Sequence, residues 1–412
     1  MSSSPWEWHW MLNKDEWGTV QDDSAPGMLV RGGKFCYRFP ASSRRNDERP
    51  PGMSKTVLNI VGARPNFMKI GPVIAGLRAA GLEAPLLHTG QHYDEAMNDR
   101  IFADLGLPQP DINLGVGSAS HAQQTAEIMR RFEPVLDDLQ PAAVLVVGDV
   151  NSTIACALVA AKKGVKVVHV EAGLRSYDRA MPEEINRVLT DQLSDFLFTT
   201  EREAEANLCR EGIDPARVFF VGNVMIDTLL ANVARAVPSS ATVGMDGGYT
   251  LVTLHRPSNV DDPQVLGRLL TCLADMARAT PVIFPAHPRT RARIEAAGLM
   301  DLVDRAGIRL MPPQGYLEIL GLMRSAKVVV TDSGGLQEET TALGVPCLTV
   351  RENTERPVTI AEGTNTLVGV DATAIMAAFT EIMATGGKAG RIPELWDGKA
   401  GQRIGEILAR SL

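Results

Sequence analysis

The run Val328-Val329-Val330-Thr331-Asp332-Ser333-Gly334-Gly335-Leu336-Gln337-Glu338-Glu339 constrains the fold more than any other stretch of the chain. A short β-branched run of this kind reads as a buried parallel strand. The Ser-Gly-Gly turn that ends it opens a helical pattern through Leu343. Backbone N–H groups and the positive end of a helix are thereby delivered to one point, which suits a phosphate. Gly334 and Gly335 allow a ligand close to the backbone, and Ser333 adds a hydroxyl donor. Glu339, one turn on, is placed to accept hydrogen bonds from a ribose. An ordinary strand-to-helix turn would have the same local pattern, so the loop must be weighed with the rest of the chain.

The same unit recurs along the sequence. Strands are predicted at 57–61, 84–89, 143–147, 165–170, 196–199 and 218–221, with helices between them. One long amphipathic helix covers 121–139, with a break expected near Pro134. A second half repeats the plan with strands at 250–254, 282–285, 328–331 and 347–350. Strands alternating with helices predict an α/β fold with right-handed crossovers. The expected architecture is two Rossmann-like, doubly wound domains facing a cleft, one over 55–224 and one over 225–397. The last helix, about 398–412, is expected to pack back on the first domain.

Residues 1–54 do not share this pattern. They hold Trp6, Trp8, Trp10 and Trp17, four of the chain's five tryptophans, and no charged start followed by an apolar core, so they are not a signal peptide. The expectation is a disordered extension, or one outside the translated protein with synthesis starting at Met53; the mass of the native N-terminus decides between these.

Apolar content of 45% and charged content of 22% are those of a globular protein, and the net charge of −8 argues against a nucleic-acid coat. Five scattered cysteines show no metal-like spacing, which points to free thiols in a reducing compartment. No apolar run approaches the ~20 residues that span a bilayer. A cytoplasmic protein that binds neither membrane nor nucleic acid is expected. The nicotinamide fingerprint is missing after the first strand, as is a Walker A sequence, so no cofactor and no metal are expected.

In open α/β sheets ligands bind beyond the carboxyl ends of the strands. Polar residues gather at those ends in both halves. Arg64 and Lys69 flank the first strand-to-helix turn, where a cation is unfavourable unless an anion answers it; a solvated helix start is the plainer reading. Gln91 follows the second strand. Asp149 and Glu171 each follow a valine-rich strand, although Asp149 could instead cap the next helix. Glu183 stands at a helix start with Arg187 one turn on, where simple dipole complementarity is the alternative. Several carboxylates in one cleft raise each other's pKa, which suits groups that exchange protons near neutrality. His255 ends the first strand of the second half and shares its cleft with the Ser-Gly-Gly loop; a capping or core histidine is the commoner fate. Arg356 could clamp a phosphate bidentately or lie on the surface.

Taken in order, Gly62-Ala63-Arg64-Pro65…Lys69, Gly90-Gln91-His92, Gly148-Asp149, His169-Val170-Glu171-Ala172-Gly173-Leu174-Arg175, Pro182-Glu183-Glu184…Asn186-Arg187, His255-Arg256, Asp332-Ser333-Gly334-Gly335…Gln337-Glu338-Glu339 and Thr354-Glu355-Arg356-Pro357 resemble the non-hydrolysing UDP-N-acetylglucosamine 2-epimerases. The resemblance runs from about Lys55 to the C-terminus. It implies a glycosyltransferase-B-like fold, a homodimer, and interconversion of UDP-GlcNAc and UDP-ManNAc. By motif, Asp149, Glu171 and Glu183 would be acid/base groups and His255 would stabilise departing UDP. Arg64, Lys69, Gln91, Arg187, Ser333, Gly334, Gly335, Glu339 and Arg356 would hold nucleotide or sugar, and Tyr316 resembles the aromatic region beside the uracil. The chain departs from the family pattern at Asn66, Pro257-Ser258 and Val358. None of these removes a proposed catalytic group, and the second leaves activation by another substrate molecule open. The rivals are a hydrolysing epimerase, a glycosyltransferase of the same fold, and a silent nucleotide-sugar sensor.

Overall fold

A computed structural model of the chain describes residues 55–90 and 102–412, together with the backbone of two short strands nearer the N-terminus. The chain divides into two units, Met1–Gly52 and Met53–Leu412. In the first, β1 (Met28–Arg31) pairs antiparallel with β2 (Lys34–Tyr37).

The second unit holds two parallel sheets. One contains β3 (Val57–Val61), β4 (Leu86–His88), β5 (Ile112–Asn113), β6 (Ala143–Val147), β7 (Lys166–Val170), β8 (Phe196–Thr199) and β9 (Val218–Phe220), in the order β5-β4-β3-β6-β7-β8-β9. The other contains β10 (Thr250–Thr253), β11 (Val282–Pro285), β12 (Arg309–Met311), β13 (Val328–Thr331), β14 (Cys347–Thr349) and β15 (Asn365–Leu367), in the order β12-β11-β10-β13-β14-β15. In each sheet the order reverses beside the first strand, β3 or β10, and crossovers leave that point in both directions. A crevice opens there at the carboxyl ends.

Alternation along the strands feeds two cores per sheet. Val57 and Val61 of β3 face the helices Arg64–Ala79 and Ala400–Ser411, while Leu58 and Ile60 face His121–Leu139 and Asn151–Lys162. In the second sheet Val328 and Val330 enter one core, and Val329 enters the other with Tyr249, Leu320 and Trp396. Helices therefore cover both faces of each sheet, which is why the central strands are mostly apolar on both sides.

The expected break at Pro134 does not occur: His121–Leu139 is one helix. Ile128 and Phe132 before the proline, and Val135 and Leu136 after it, are buried in the same core, whereas Pro134 is exposed. Burial on both sides holds the helix through the lost hydrogen bond.

The chain returns to the first sheet at its end. Trp396 packs in the core of the second sheet and donates its Nε1–H to the Thr200 carbonyl at 3.1 Å, beyond β8 of the first. The helix Ala400–Ser411 then lies against Arg64–Ala79, glycine against glycine. A Cβ on Gly405 would come 2.2 Å from the Gly76 carbonyl oxygen, and one on Gly401 would come 2.3 Å from that of Pro72. Gly405→Ala is therefore expected to force the helices apart and lower stability by about 1–3 kcal/mol, as overpacking does. An unchanged urea midpoint would contradict this docking.

Candidate active site

A cleft of about 810 Å³ opens between the carboxyl ends of the two sheets. The first sheet contributes Lys69, Asp149, Glu183 and Arg187 to its lining, and the second contributes His255, Tyr316, Ser333, Gly334, Gly335, Glu339 and Arg356. Glu171 lies just beneath, buried and ion-paired to Lys69. The fourteen proposed site residues are thus brought to one place with two exceptions: Gln91 and the side chain of Arg64 lie outside the described residues.

On the second sheet β13 delivers the helix Gly334–Leu343 to the cleft. Ser333 is its N-cap in extended conformation, yet the Ser333 side chain makes no cap hydrogen bond. The hydroxyl and the first-turn N–H groups are left for an anion. A Cβ on Gly334 would come 2.9 Å from Glu355 Oε1, and one on Gly335 would come 3.1 Å from Met225 Cε, so a side chain at either position would have to displace the end of a neighbouring one. Asp332 accepts the backbone N–H groups of His255 and Arg256 and the amide of Asn259. Its carboxylate also lies 2.9 Å from His255 Nδ1. The imidazole is thereby oriented with Nε2 away from Asp332, and the side chain stays 50% exposed. Burial alone would raise the Asp332 pKa, but His255 and the two backbone donors outweigh it and hold the group below the usual range.

Tyr316 donates its hydroxyl to Glu339 Oε1 at 3.0 Å, and both are buried. Burial pushes Glu339 from the ordinary 4.5 up to about 8, against the lowering effect of Tyr316.

On the first sheet, three turns carry the acidic groups. Asp149 is ion-paired to Arg187, whose other nitrogen meets Glu184 Oε2 at 2.5 Å. Asp149 is not the cap of the following helix: Val150 holds that position. Burial would raise the Asp149 pKa, but Arg187 and Lys69 keep it below the usual range, so it stands ionised. At the start of the helix Pro182–Leu193 the two neighbouring acids divide the work. Glu184 is buried and accepts the N–H groups of Ser176 and Tyr177, leaving Glu183 exposed at the rim of the cleft. Glu171 has φ of +70°. A non-glycine residue there costs about 1–3 kcal/mol and persists only where the surroundings fix it.

Arg356 is buried rather than superficial. Its Nε lies 2.7 Å from Glu338 Oε1 and its Nη2 lies 3.7 Å from Glu171 Oε1. Asn66, where the family pattern has an acid, accepts the N–H groups of Gly62 and Ala63 and donates to the Val147 carbonyl at 2.9 Å. An ionised acid could not make that last bond. Asp332, Glu338 and Glu355 belong to the site but were not among the residues singled out from sequence. Asp332 ends a valine-rich strand just as Asp149 and Glu171 follow theirs, so the same rule would have found it. Nothing local distinguishes Glu338 or Glu355.

Among the described residues no group of three or more His, Cys, Asp or Glu side chains could hold a metal ion. No helix among them is long and apolar enough to cross a membrane.

Comparison with known proteins gives the family and the fold. A family profile described as UDP-N-acetylglucosamine 2-epimerase matches residues 76–409. The UDP-N-acetylglucosamine 2-epimerase of Methanocaldococcus jannaschii is 42% identical over 358 residues, 85% of this chain and 97% of that protein. Its crystal structure in complex with UDP-GlcNAc and UDP superposes with a TM-score of 0.80 at 41% identity, covering 86% of this chain and 99% of that one. The UDP-2,3-diacetamido-2,3-dideoxy-D-glucuronate 2-epimerase of Pseudomonas aeruginosa is 40% identical over 359 residues, 86% of this chain and 99% of that protein.

The raised Glu339 has a consequence for stability. Its folded pKa of about 8 exceeds the unfolded value, so the native state holds a proton that the unfolded chain releases. That contribution is complete below the unfolded pKa and is lost as the pH rises through about 8. Between about pH 5 and about pH 8.5 the thermal midpoint of the free protein should fall less in Glu339→Gln than in wild type. Equal falls would mean that Glu339 does not hold its proton.

Proposed function

Because the chain belongs to the UDP-N-acetylglucosamine 2-epimerase family, we propose that it interconverts UDP-GlcNAc and UDP-ManNAc by eliminating UDP and adding it back. One observation carries the reading: the Ser-Gly-Gly helix start on one sheet faces Asp149 and Glu183 on the other across a single cleft, with Glu171 buried behind them. The hydrogen on C2 of the sugar has no carbonyl beside it and is not acidic enough for simple removal and return. If the C1–O bond to UDP breaks first, the oxocarbenium-like centre acidifies C2. Loss of the C2 proton then gives 2-acetamidoglucal. A proton delivered to the opposite face of C2, with UDP adding back at C1, yields the epimer.

In this reading the N–H groups at the start of Gly334–Leu343, Ser333 and His255 receive the negative charge that develops on the departing diphosphate. Asp149 and Glu171, with Glu183 at the rim, exchange the C2 proton. Asp149 enters ionised and so is a ready proton acceptor. Glu339 and Tyr316 hold the nucleoside end, and closure of the cleft keeps water from the glucal. Lys69 and Arg187 act chiefly through the carboxylates they pair. Arg356 reaches a phosphate only by sharing it with Glu338 and Glu171.

Retained UDP keeps C1 activated for glycosyl transfer, which suits supply of ManNAc units to surface polysaccharide in the cytoplasm. Ile185 and Leu189, 42% and 49% exposed one turn apart on Pro182–Leu193, offer an apolar stripe for a second copy of the chain; a one-chain mass in light scattering would refute the dimer.

Asp149→Asn and Glu171→Gln should each lower turnover by about 10²–10⁴-fold, as loss of acid–base groups does, with UDP affinity by calorimetry little changed. Wild-type turnover in either variant removes that residue from the chemistry. Release of free ManNAc with UDP would instead indicate a hydrolysing enzyme, and turnover of only a diacetamido-uronate would reassign the substrate.

A further inference from the structure

The turns that carry Asp149 and Glu171 are tied together by side chains that do not line the cleft. His169, in β7, is fully buried. Its Nδ1 lies 2.6 Å from Asp191 Oδ1, and its Nε2 lies 2.8 Å from the carbonyl oxygen of Gly148. Asp191, on the helix Pro182–Leu193 and also fully buried, accepts the Gly173 N–H at 3.1 Å on its other oxygen. That oxygen also lies 2.7 Å from Arg175 Nη2, which is paired in turn with Glu211 at 2.5 Å. Gly148 immediately precedes Asp149, and His169 and Gly173 stand two residues to either side of Glu171.

A carbonyl oxygen only accepts, so His169 Nε2 carries a hydrogen. Burial would raise the Asp191 pKa, but His169 and Arg175 outweigh it and hold the carboxyl below the usual range. Asp191 is therefore an acceptor too, set against the other ring nitrogen. The backbone they grip is unusual: Gly148, Glu171 and Gly173 all have positive φ, at 68°, 70° and 78°. Glycine adopts that region freely, but Glu171 between them does not, and a non-glycine residue stays there only when its surroundings over-determine it.

We propose that His169 and Asp191 form a positioning pair for the epimerisation, fixing the Gly148 carbonyl and the Gly173 N–H so that Asp149 and Glu171 keep their separation across the sugar. Neither residue touches the substrate. The pair acts by holding two backbone turns, and a misplacement of about 1 Å in such groups can cost on the order of 100-fold in rate. The proposal rests on Asp149 and Glu171 being the proton-exchanging groups.

The test compares Asp191→Asn, His169→Ala and His169→Gln in the full-length protein. Asp191→Asn should lower kcat by about 10–100-fold while KM for UDP-GlcNAc and the Kd for UDP stay within about twofold. His169→Gln can still aim an amide N–H at the Gly148 carbonyl and should recover at least about tenfold of the kcat lost in His169→Ala. If His169→Ala does not fold, the split between kcat and KM in the other two variants decides. Unchanged kcat in folded Asp191→Asn would overturn the proposal. So would kcat and UDP affinity falling together with thermal stability, the mark of a merely structural pair. Full turnover in Asp149→Asn and Glu171→Gln is a different failure, because it removes the underlying assignment itself.

Discussion

Arg356 is a fully charged guanidinium buried between the two halves of the site, with Glu338 at 2.7 Å and Glu171 at 3.7 Å. Burial opposes its charge, but Glu338, Glu171, Glu355 and Glu201 together hold it protonated. The carboxylates depend on it in return. Glu355, with Arg351 also beside it, is held well below the usual range. Glu338 is raised by burial despite Arg356, and Glu201 is raised to about 8. Buried ions replaced by apolar groups often give a protein that is no less stable, so a cluster like this is weak evidence for stability and better evidence for chemistry. Glu171 Oε1 and Glu338 Oε2 are buried without a hydrogen-bond partner among the described residues. The cluster is thus charged and incompletely satisfied where a substrate would enter.

The fold supplies the rest by geometry. Two parallel sheets each present their carboxyl ends to the same crevice, so the Ser-Gly-Gly helix start of one stands across from Asp149 and Glu183 of the other. The return of the chain through Trp396 to the glycine contact with Arg64–Ala79 ties the halves a second time. Arg64–Ala79 also carries Lys69, the partner of Glu171. The helix that receives the C-terminus therefore also holds Glu171 in place.

Much of this was legible in the sequence, because the central strands are buried on both faces and read as short, mostly apolar runs. The strands at 57–61, 143–147, 196–199, 282–285 and 328–331 fall where those runs lie. The edge strands β5, β12 and β15 were missed: they are two or three residues long and less apolar, and pairing with a neighbour defines them. Pro134 misled because local chemistry predicts a break that tertiary burial overrides. In the site, residues directly after strand ends were visible by rule, as with Asp149, Glu171, His255 and Ser333. The His169–Asp191 contact spans 22 residues and joins two positions that each look like ordinary core, so no local pattern announces it. The division between Glu183 and Glu184 likewise depends on which carboxylate reaches Ser176 and Tyr177.

The central claim is that the bond between C1 and UDP breaks and re-forms during epimerisation. Substrate labelled with ¹⁸O in the bridge between C1 and the β-phosphorus tests it directly by ³¹P NMR. While UDP is free in the cleft its terminal phosphate can rotate, so the label should spread from the bridging to the non-bridging β-oxygens as the enzyme turns over. A label that stays in the bridge while UDP-ManNAc forms would contradict the elimination and require a route that leaves the C1–O bond intact.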